Sequence, residues 1–183
     1  MANGKYKGSE FEREMCKTLS SWLSAGKRLD YFWRSAMSGG RATVAMKKNI
    51  ELGASSGDIT AICSEGEVLT KQFMIECKAY RSLQLDQLIF TDTGEFRWIW
   101  LKLKADSKKY HREPMLIAKQ NQRPVIVGLG RQGRLILDPK WKLKQLAWFT
   151  TDDIQLFRLS DVISLSPDYV IPALTRQIER GAE

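Results

Sequence analysis

Gly57-Asp58-Ile59-Thr60-Ala61-Ile62-Cys63, the polar stretch Ser64-Glu65-Gly66-Glu67, and Gln72-Phe73-Met74-Ile75-Glu76-Cys77-Lys78 decide how this chain folds. The two outer runs are strand-like and the polar residues between them carry a hairpin signal. Successive side chains of a strand alternate between its faces, so Glu76 and Lys78 project to one side while Ile75 and Cys77 pack on the other. If Asp58 pairs opposite Glu76 in an antiparallel hairpin, the midpoint of the register falls at Glu67, within or next to the polar turn. The two carboxylates then converge beside an ammonium. Two convergent carboxylates, helped by a main-chain carbonyl and water, make a hard-oxygen site for magnesium. A lysine beside that metal can orient or activate water against a phosphodiester while the metal offsets the charge building up in the transition state. An isolated Glu-x-Lys in a strand is more often a plain surface pair, so the flanking sequence has to decide between the two.

Upstream, Ser9-Glu10-Phe11-Glu12 reads as a capping box that opens a helix over about residues 9–24, with Phe11, Met15, Leu19, Trp22 and Leu23 at helical spacing. At about 100° per residue Glu12 falls between Leu19 and Leu23, inside the apolar arc, whereas Glu10 and Glu14 point away. A carboxylate on the buried side of a helix is costly unless a cation or hydrogen bonds compensate it; the capping box is the alternative account of Glu12. Gly26-Lys27 ends the helix, and Tyr31-Phe32-Trp33-Arg34-Ser35 reads as a first strand. Residues 36–56 are rich in Gly, Ser and Lys without a clear period and read as an inserted basic loop, with Arg41, Lys47 and Lys48 placed to fold over a phosphate backbone.

Downstream, residues 82–112 favour two helices interrupted at Thr91-Asp92-Thr93-Gly94, and residues 114–119 and 124–128 read as strands. A hairpin through Arg131-Gln132-Gly133 into Leu135-Ile136-Leu137 is expected next, and residues 168–180 form a terminal helix. Gly128-Leu129-Gly130-Arg131-Gln132-Gly133 matches G-x-G-x-x-G in form, but a dinucleotide site needs a helix where a strand is expected here. Trp141-Lys142-Leu143-Lys144-Gln145-Leu146-Ala147-Trp148-Phe149 is not cleanly amphipathic and reads as core packing with exposed lysines, or as a self-association surface. The length of 183 residues fits a single domain over 1–183, with a core at about 7–138, the insertion at about 36–56 and a C-terminal extension at about 139–183.

With 43% hydrophobic and 27% charged residues, the composition is that of an ordinary globular protein and excludes disordered and fibrous classes. No apolar stretch approaches the roughly 20 residues of a membrane span, and the N-terminus carries no apolar signal segment. Cys16, Cys63 and Cys77 lack metal-type spacing and sit in apolar patterns, which fits a reducing cytosol. The net charge of +8 is unevenly spread: residues 97–144 are basic, with Asp106, Glu113 and Asp138 as the acids, whereas residues 57–96 are predominantly acidic. An acidic centre framed by basic flanks suits a metal site that approaches a polyphosphate. His111, the single histidine, excludes a multi-histidine metal cluster and reads as a surface residue, or at most as a phosphate contact beside Lys108, Lys109 and Arg112.

Lys7-Gly8-Ser9-Glu10-Phe11-Glu12-Arg13-Glu14, then Arg34-Ser35, Gly57-Asp58-Ile59 and Ile75-Glu76-Cys77-Lys78 resemble, in that order, the PD-(D/E)XK nuclease superfamily, and within it archaeal-type Holliday junction resolvases and related phage enzymes. The match runs over about residues 7–78, with weaker similarity near 115–128. The resemblance implies an α/β (α+β) fold with a mixed central β-sheet flanked by helices, built on a restriction-endonuclease-like αβββαβ core. It implies catalytic roles for Glu12, Asp58, Glu76 and Lys78. Mg2+, with Mn2+ able to substitute, would be held by Asp58, Glu76 and the Cys77 backbone carbonyl, with Glu12 as a further candidate ligand. Arg34, Ser38, Arg41, Lys47, Lys48, Lys108, Lys109 and Arg112 become the expected DNA contacts. The partner is then DNA, branched or four-way, bound by a homodimer in a bacterial or phage-infected host cytosol. Where the resolvases pass almost directly from the Arg-Ser strand to the Asp, this chain inserts Arg41 to Ser56 after Ser38-Gly39-Gly40, which leaves a restriction-type nuclease on linear DNA open. A catalytically silent DNA-binding or assembly module of the same fold is the other alternative.

Overall fold

Phe73–Tyr80 forms the strand β3, which lies parallel to β4 (Glu113–Gln120), with Ile75 opposite Met115 and Cys77 opposite Ile117. The computed structural model describes residues 4–35 and 57–180; the side chains of 4–7 and 180 are outside that description. Parallel neighbours need a crossover, and two helices supply it, α3 (Leu85–Thr91) and α4 (Glu95–Lys109), broken at the expected Thr91–Gly94 junction. β5 (Ile126–Leu129) and β7 (Ile154–Arg158) continue the sheet antiparallel, and β6 (Ala147–Phe149) closes it in the order β3-β4-β5-β7-β6.

Alternation along β3 sorts the core onto two faces. Phe73, Ile75 and Cys77 pack with Met115, Ile117, Val127 and Phe157 against Phe11, Met15 and Leu19 of α1 (Gly4–Leu23). Met74 points the other way, with Leu116 and Ala118, into Phe96, Ile99, Trp100 and Leu103 of α4. Helices therefore cover both faces of a mixed sheet, the α+β arrangement expected from the sequence. Among the described residues, no helix is long and apolar enough to cross a membrane.

The path from Asp58 to Glu76 differs from the expected hairpin. Ser64–Thr70 is a helix, α2, and β2 (Ile59–Ala61) pairs antiparallel with β1 (Phe32–Arg34) rather than with β3. Glu65 and Glu67 sit in the first helical turn, where negative charge meets the positive end of the helix dipole, while Leu69 is fully buried. Gly66 lets this helix press onto β1, since a Cβ there would stand 2.8 Å from the Tyr31 carbonyl oxygen. The capping box is likewise replaced: α1 already begins at Gly4, so Ser9 and Glu12 lie inside the helix and Glu12 does not cap its start.

Arg131–Leu137 is also a helix, α5, where a strand was expected. Its buried positions Gly133, Arg134, Ile136 and Leu137 lie on one helical face; a strand would have split them between two. The G-x-G-x-x-G run thus does lead into a helix, but its first N–H groups meet the chain's own acid: Arg131 N–H donates to Asp153 Oδ1 at 3.2 Å. Beyond Pro139 the chain re-enters the sheet, β7 lying between β5 and β6 with Phe157 opposite Val127. α6 (Leu159–Ile163) and α7 (Pro167–Arg180) follow, and Val170 and Leu174 of α7 reach the core shared with α1.

Arg134 ties this C-terminal part to the sheet. Its Nη1 donates to Gln145 Oε1 at 3.1 Å and Gln155 Oε1 at 2.9 Å, its Nη2 to the Leu143 carbonyl at 3.1 Å, and Trp141 stacks on the guanidinium at 3.9 Å. Removing this donor strands the Leu143 carbonyl and Gln155 in a buried setting, and Gln145 in a half-buried one. Arg134→Ala is expected to lower the unfolding free energy by about 3 kcal/mol in urea denaturation, while Arg131→Ala, at an exposed position, stays within about 0.5 kcal/mol of the parent.

Candidate active site

Gly57 has φ +98°, and a Cβ on it would stand 2.8 Å from the Ile75 carbonyl oxygen, so only glycine lets the chain approach β3 this closely. Asp58 follows directly. Its N–H donates to the Ile75 carbonyl at 2.8 Å, its own carbonyl accepts the Ser35 N–H at 2.9 Å, and its Oδ2 accepts the Cys77 N–H at 2.9 Å. A buried carboxylate is thereby fixed between β1 and β3 without pairing as a ladder strand.

Lys78 leans back toward it, with Nζ 3.5 Å from Asp58 Oδ2, and also forms a short ion pair with Glu76 Oε1. Burial, and then the charge of Asp58, push the Glu76 carboxyl above its usual range; Lys78 and, more weakly, Lys102 of α4 oppose that. For Lys78 burial favours loss of the charge, but Asp58 and Glu76 together outweigh it and hold the ammonium above its ordinary pKa. At neutral pH Lys78 is therefore a charged donor between two acids rather than a free amine.

Glu12, buried on α1, is paired with Arg34 Nε of β1. The compensation demanded by a carboxylate inside the apolar arc is thus a guanidinium, and Arg34, expected at DNA, is turned toward its own chain. The Cys16 thiol is pushed up to about 12 by burial and then by Glu12, with Arg34 and Asp58 also acting on it. Cys77 is raised by burial and by Asp58, Cys16, Glu76 and Glu12, so both acid–base groups surround the same two inert thiols.

Asp58, Glu76 and Lys78 are brought together, and Glu12 with Arg34 stands nearby. Ser38, Arg41, Lys47 and Lys48 lie outside the described residues. Lys108, Lys109 and Arg112 are not brought to this centre: Glu113 pairs with Phe73 at the start of β3, five residues, or about 17 Å, from Lys78 along the strand. Lys109 instead pairs with Asp106 at 2.7 Å, and Arg112 is half-buried. Lys102, close enough to act on Glu76, was hidden in the sequence among the many basic residues of that region.

Among the described residues no three His, Cys, Asp or Glu side chains form a metal-type group. A buried carboxylate and a half-buried one that share one cation nevertheless suit a divalent ion, because the set consists of hard oxygens whose mutual repulsion needs positive charge. The Gly57–Ile75 contact determines whether Asp58 reaches them. Gly57→Ala should therefore displace Asp58, lowering stability by about 1–3 kcal/mol on thermal unfolding and removing any activity that needs the Asp58–Glu76 pair.

No curated protein and no solved structure matches the chain. A family model described as "Phage putative PDDEXK endonuclease" matches residues 3–163, spanning α1, the Asp58 approach, the Glu76-x-Lys78 strand and the sheet through β7. The chain belongs to this phage PDDEXK endonuclease family.

Proposed function

We propose that the protein is a metal-dependent DNA endonuclease whose catalytic residues are Asp58, Glu76 and Lys78, with Glu12 assisting from α1. The observation that carries this reading is the Lys78 ammonium held between the Asp58 and Glu76 carboxylates. Asp58, Glu76 and the Cys77 main-chain carbonyl would hold Mg2+, with Mn2+ able to substitute and Glu12 as a further candidate ligand. When bound, that ion supplies Lewis-acid stabilisation of charge on the phosphoryl oxygens.

The protein's own groups do the rest. Asp58 is fixed by main-chain hydrogen bonds, so its carboxylate keeps its place as a phosphate approaches. Lys78 remains protonated; its Nζ orients the attacking water and donates to a non-bridging phosphate oxygen, where charge grows during in-line displacement. Arg34 pairs with Glu12 and balances its charge beside the centre.

The substrate we propose is branched DNA, cut by a symmetric homodimer in the cytosol of a bacterial or phage-infected host. Resolving a four-way junction takes two coordinated cuts in strands related by approximate two-fold symmetry, which a dimer of one-site subunits meets. The order of Glu12, Arg34-Ser35, Gly57-Asp58 and Glu76-Cys77-Lys78 supports this, as does the basic stretch from Arg97 to Lys144, which suits contact with phosphates rather than bases.

A cleavage assay comparing a four-way junction with its component duplexes, with and without Mg2+, tests the reading. Asp58→Ala and Glu76→Ala should abolish cutting while DNA binding persists, and Lys78→Ala should slow it on the order of 10²-fold. Full activity in either acid variant would remove the assignment. Equal cutting of both substrates, or a stable monomer by light scattering, would refute the junction-resolving dimer and leave the nuclease standing.

A further inference from the structure

β1 and β2 bury only one of their two faces. Phe32 and Ile59 point into the core that α1 shares with Ile75 and Cys77, and Ala61 packs against it. Strand alternation turns Trp33, Thr60 and Ile62 to the opposite side, which for β3 is the side of Glu76 and Lys78. On that side α4 covers β3 and β4, and the core formed there takes no residue from β1 or β2 among those described. Trp33 is accordingly 65% exposed and Ile62 57%. Trp33 stands opposite Thr60, and the Ile62 N–H donates to the Tyr31 carbonyl at 3.0 Å, so the indole and the Ile62 side chain are diagonal neighbours on one uncovered strand face. An antiparallel pair with one wet face ordinarily turns polar side chains to the water; here two large apolar ones occupy it. The ladder also fixes where this face lies. Ser35 N–H donates to the Asp58 carbonyl at 2.9 Å, so Ser35 and Asp58 continue the β1–β2 pairing beyond Trp33 and Thr60. That is a step of two residues, or about 7 Å along the strands. Trp33 is thus tied through main-chain hydrogen bonds to Asp58, whose Oδ2 lies 3.5 Å from Lys78 Nζ.

We infer that Trp33, flanked by Ile62, is a stacking platform for an unpaired base of the DNA strand whose phosphodiester enters the Asp58–Glu76–Lys78 centre. This rests on the nuclease reading of that centre and names its substrate more closely: DNA with an unstacked nucleotide beside the cut. The spacing fits, since about 7 Å is about two base steps at roughly 3.4 Å each. A paired duplex hides its base faces and offers an indole only sugar and phosphate edges, whereas an unpaired base offers a π-face. Aromatic side chains on an open strand face are a recurring way of holding single-stranded nucleic acid. A protein partner seated here would cover the side on which Glu76 and Lys78 project, and the net charge of +8 favours a polyanion as the occupant.

The test is equilibrium binding by the full chain in metal-free buffer, where no cutting interferes. Two fluorescent probes of equal length are used, one fully paired duplex and one carrying a short bulge with 2-aminopurine at the unpaired position. Trp33→Ala should weaken binding of the bulged probe about 10-fold and abolish the quenching of 2-aminopurine, while affinity for the paired duplex stays within about two-fold. Trp33→Phe, which keeps a ring, should restore most of the preference and the quenching. Trp148→Ala, which removes another exposed indole from β6 at the far edge of the sheet, should leave both probes unchanged. Equal losses on both probes in Trp33→Ala, an unchanged preference in that variant, or a comparable loss in Trp148→Ala would overturn the proposal. So would conversion of a dimer to a monomer by Trp33→Ala in light scattering, which would make the indole a subunit contact. Wild-type protein that binds the bulge through Trp33 but cuts nothing with Mg2+ would remove the nuclease reading and keep the platform. Cutting that persists without any bulge preference would do the reverse.

Discussion

Asp58 meets β3 through two main-chain hydrogen bonds, its own N–H to the Ile75 carbonyl and the Cys77 N–H to its carboxylate, on an approach that only Gly57 permits. This docking hydrogen-bonds the β1–β2 pair, which shares a core with the five-stranded sheet but no ladder, to β3. Because Ser35 N–H bonds to the Asp58 carbonyl, the same residue positions the end of β1, and with it the Arg34 that neutralises Glu12. The acids that form the candidate centre come from distant parts of the chain, and the Asp58 contact brings them into register.

That arrangement has an electrostatic cost which the protein offsets locally. Asp58, Glu12 and Glu76 are carboxylates removed from most of the solvent, and each is met by a cation, Lys78 for two of them and Arg34 for the third. Buried acids without partners would protonate or destabilise the fold. The compensation remains incomplete at Glu76, whose carboxyl stays above its usual range because burial and Asp58 outweigh Lys78 and Lys102. A centre with residual negative charge is one that added positive charge stabilises, which connects the fold to the divalent-ion chemistry of its family.

Much of this was legible in the residues. Alternation alone assigned Glu76 and Lys78 to one face and Cys77 to the other, and the apolar arc of α1 marked Glu12 as a carboxylate needing a partner. The route was less legible than the destination: Ser64-Glu65-Gly66-Glu67 is polar enough for a turn, but two acids ahead of Val68 and Leu69 equally suit a first helical turn, and only burial against β1 distinguishes them. Ser9 to Glu12 shows the same ambiguity, since a capping-box pattern also fits a helix interior when the helix starts earlier. β6 and β7 escaped notice because they are short, and β7 is held in the sheet by β5, well upstream in the chain. α5 escaped because Arg134 looks like a surface residue until its acceptors Leu143, Gln145 and Gln155 are in place.

The central claim is that Asp58 and Glu76 form one cation-binding pair, with Lys78 held between them. Titration of Mn2+ into the metal-free protein, followed by electron paramagnetic resonance, tests this most directly and does not depend on activity. The account predicts one ion bound per chain in the wild type and loss of that ion in both Asp58→Ala and Glu76→Ala, with unfolding profiles that show the variants folded. Undiminished Mn2+ binding in folded Asp58→Ala and Glu76→Ala proteins would contradict it.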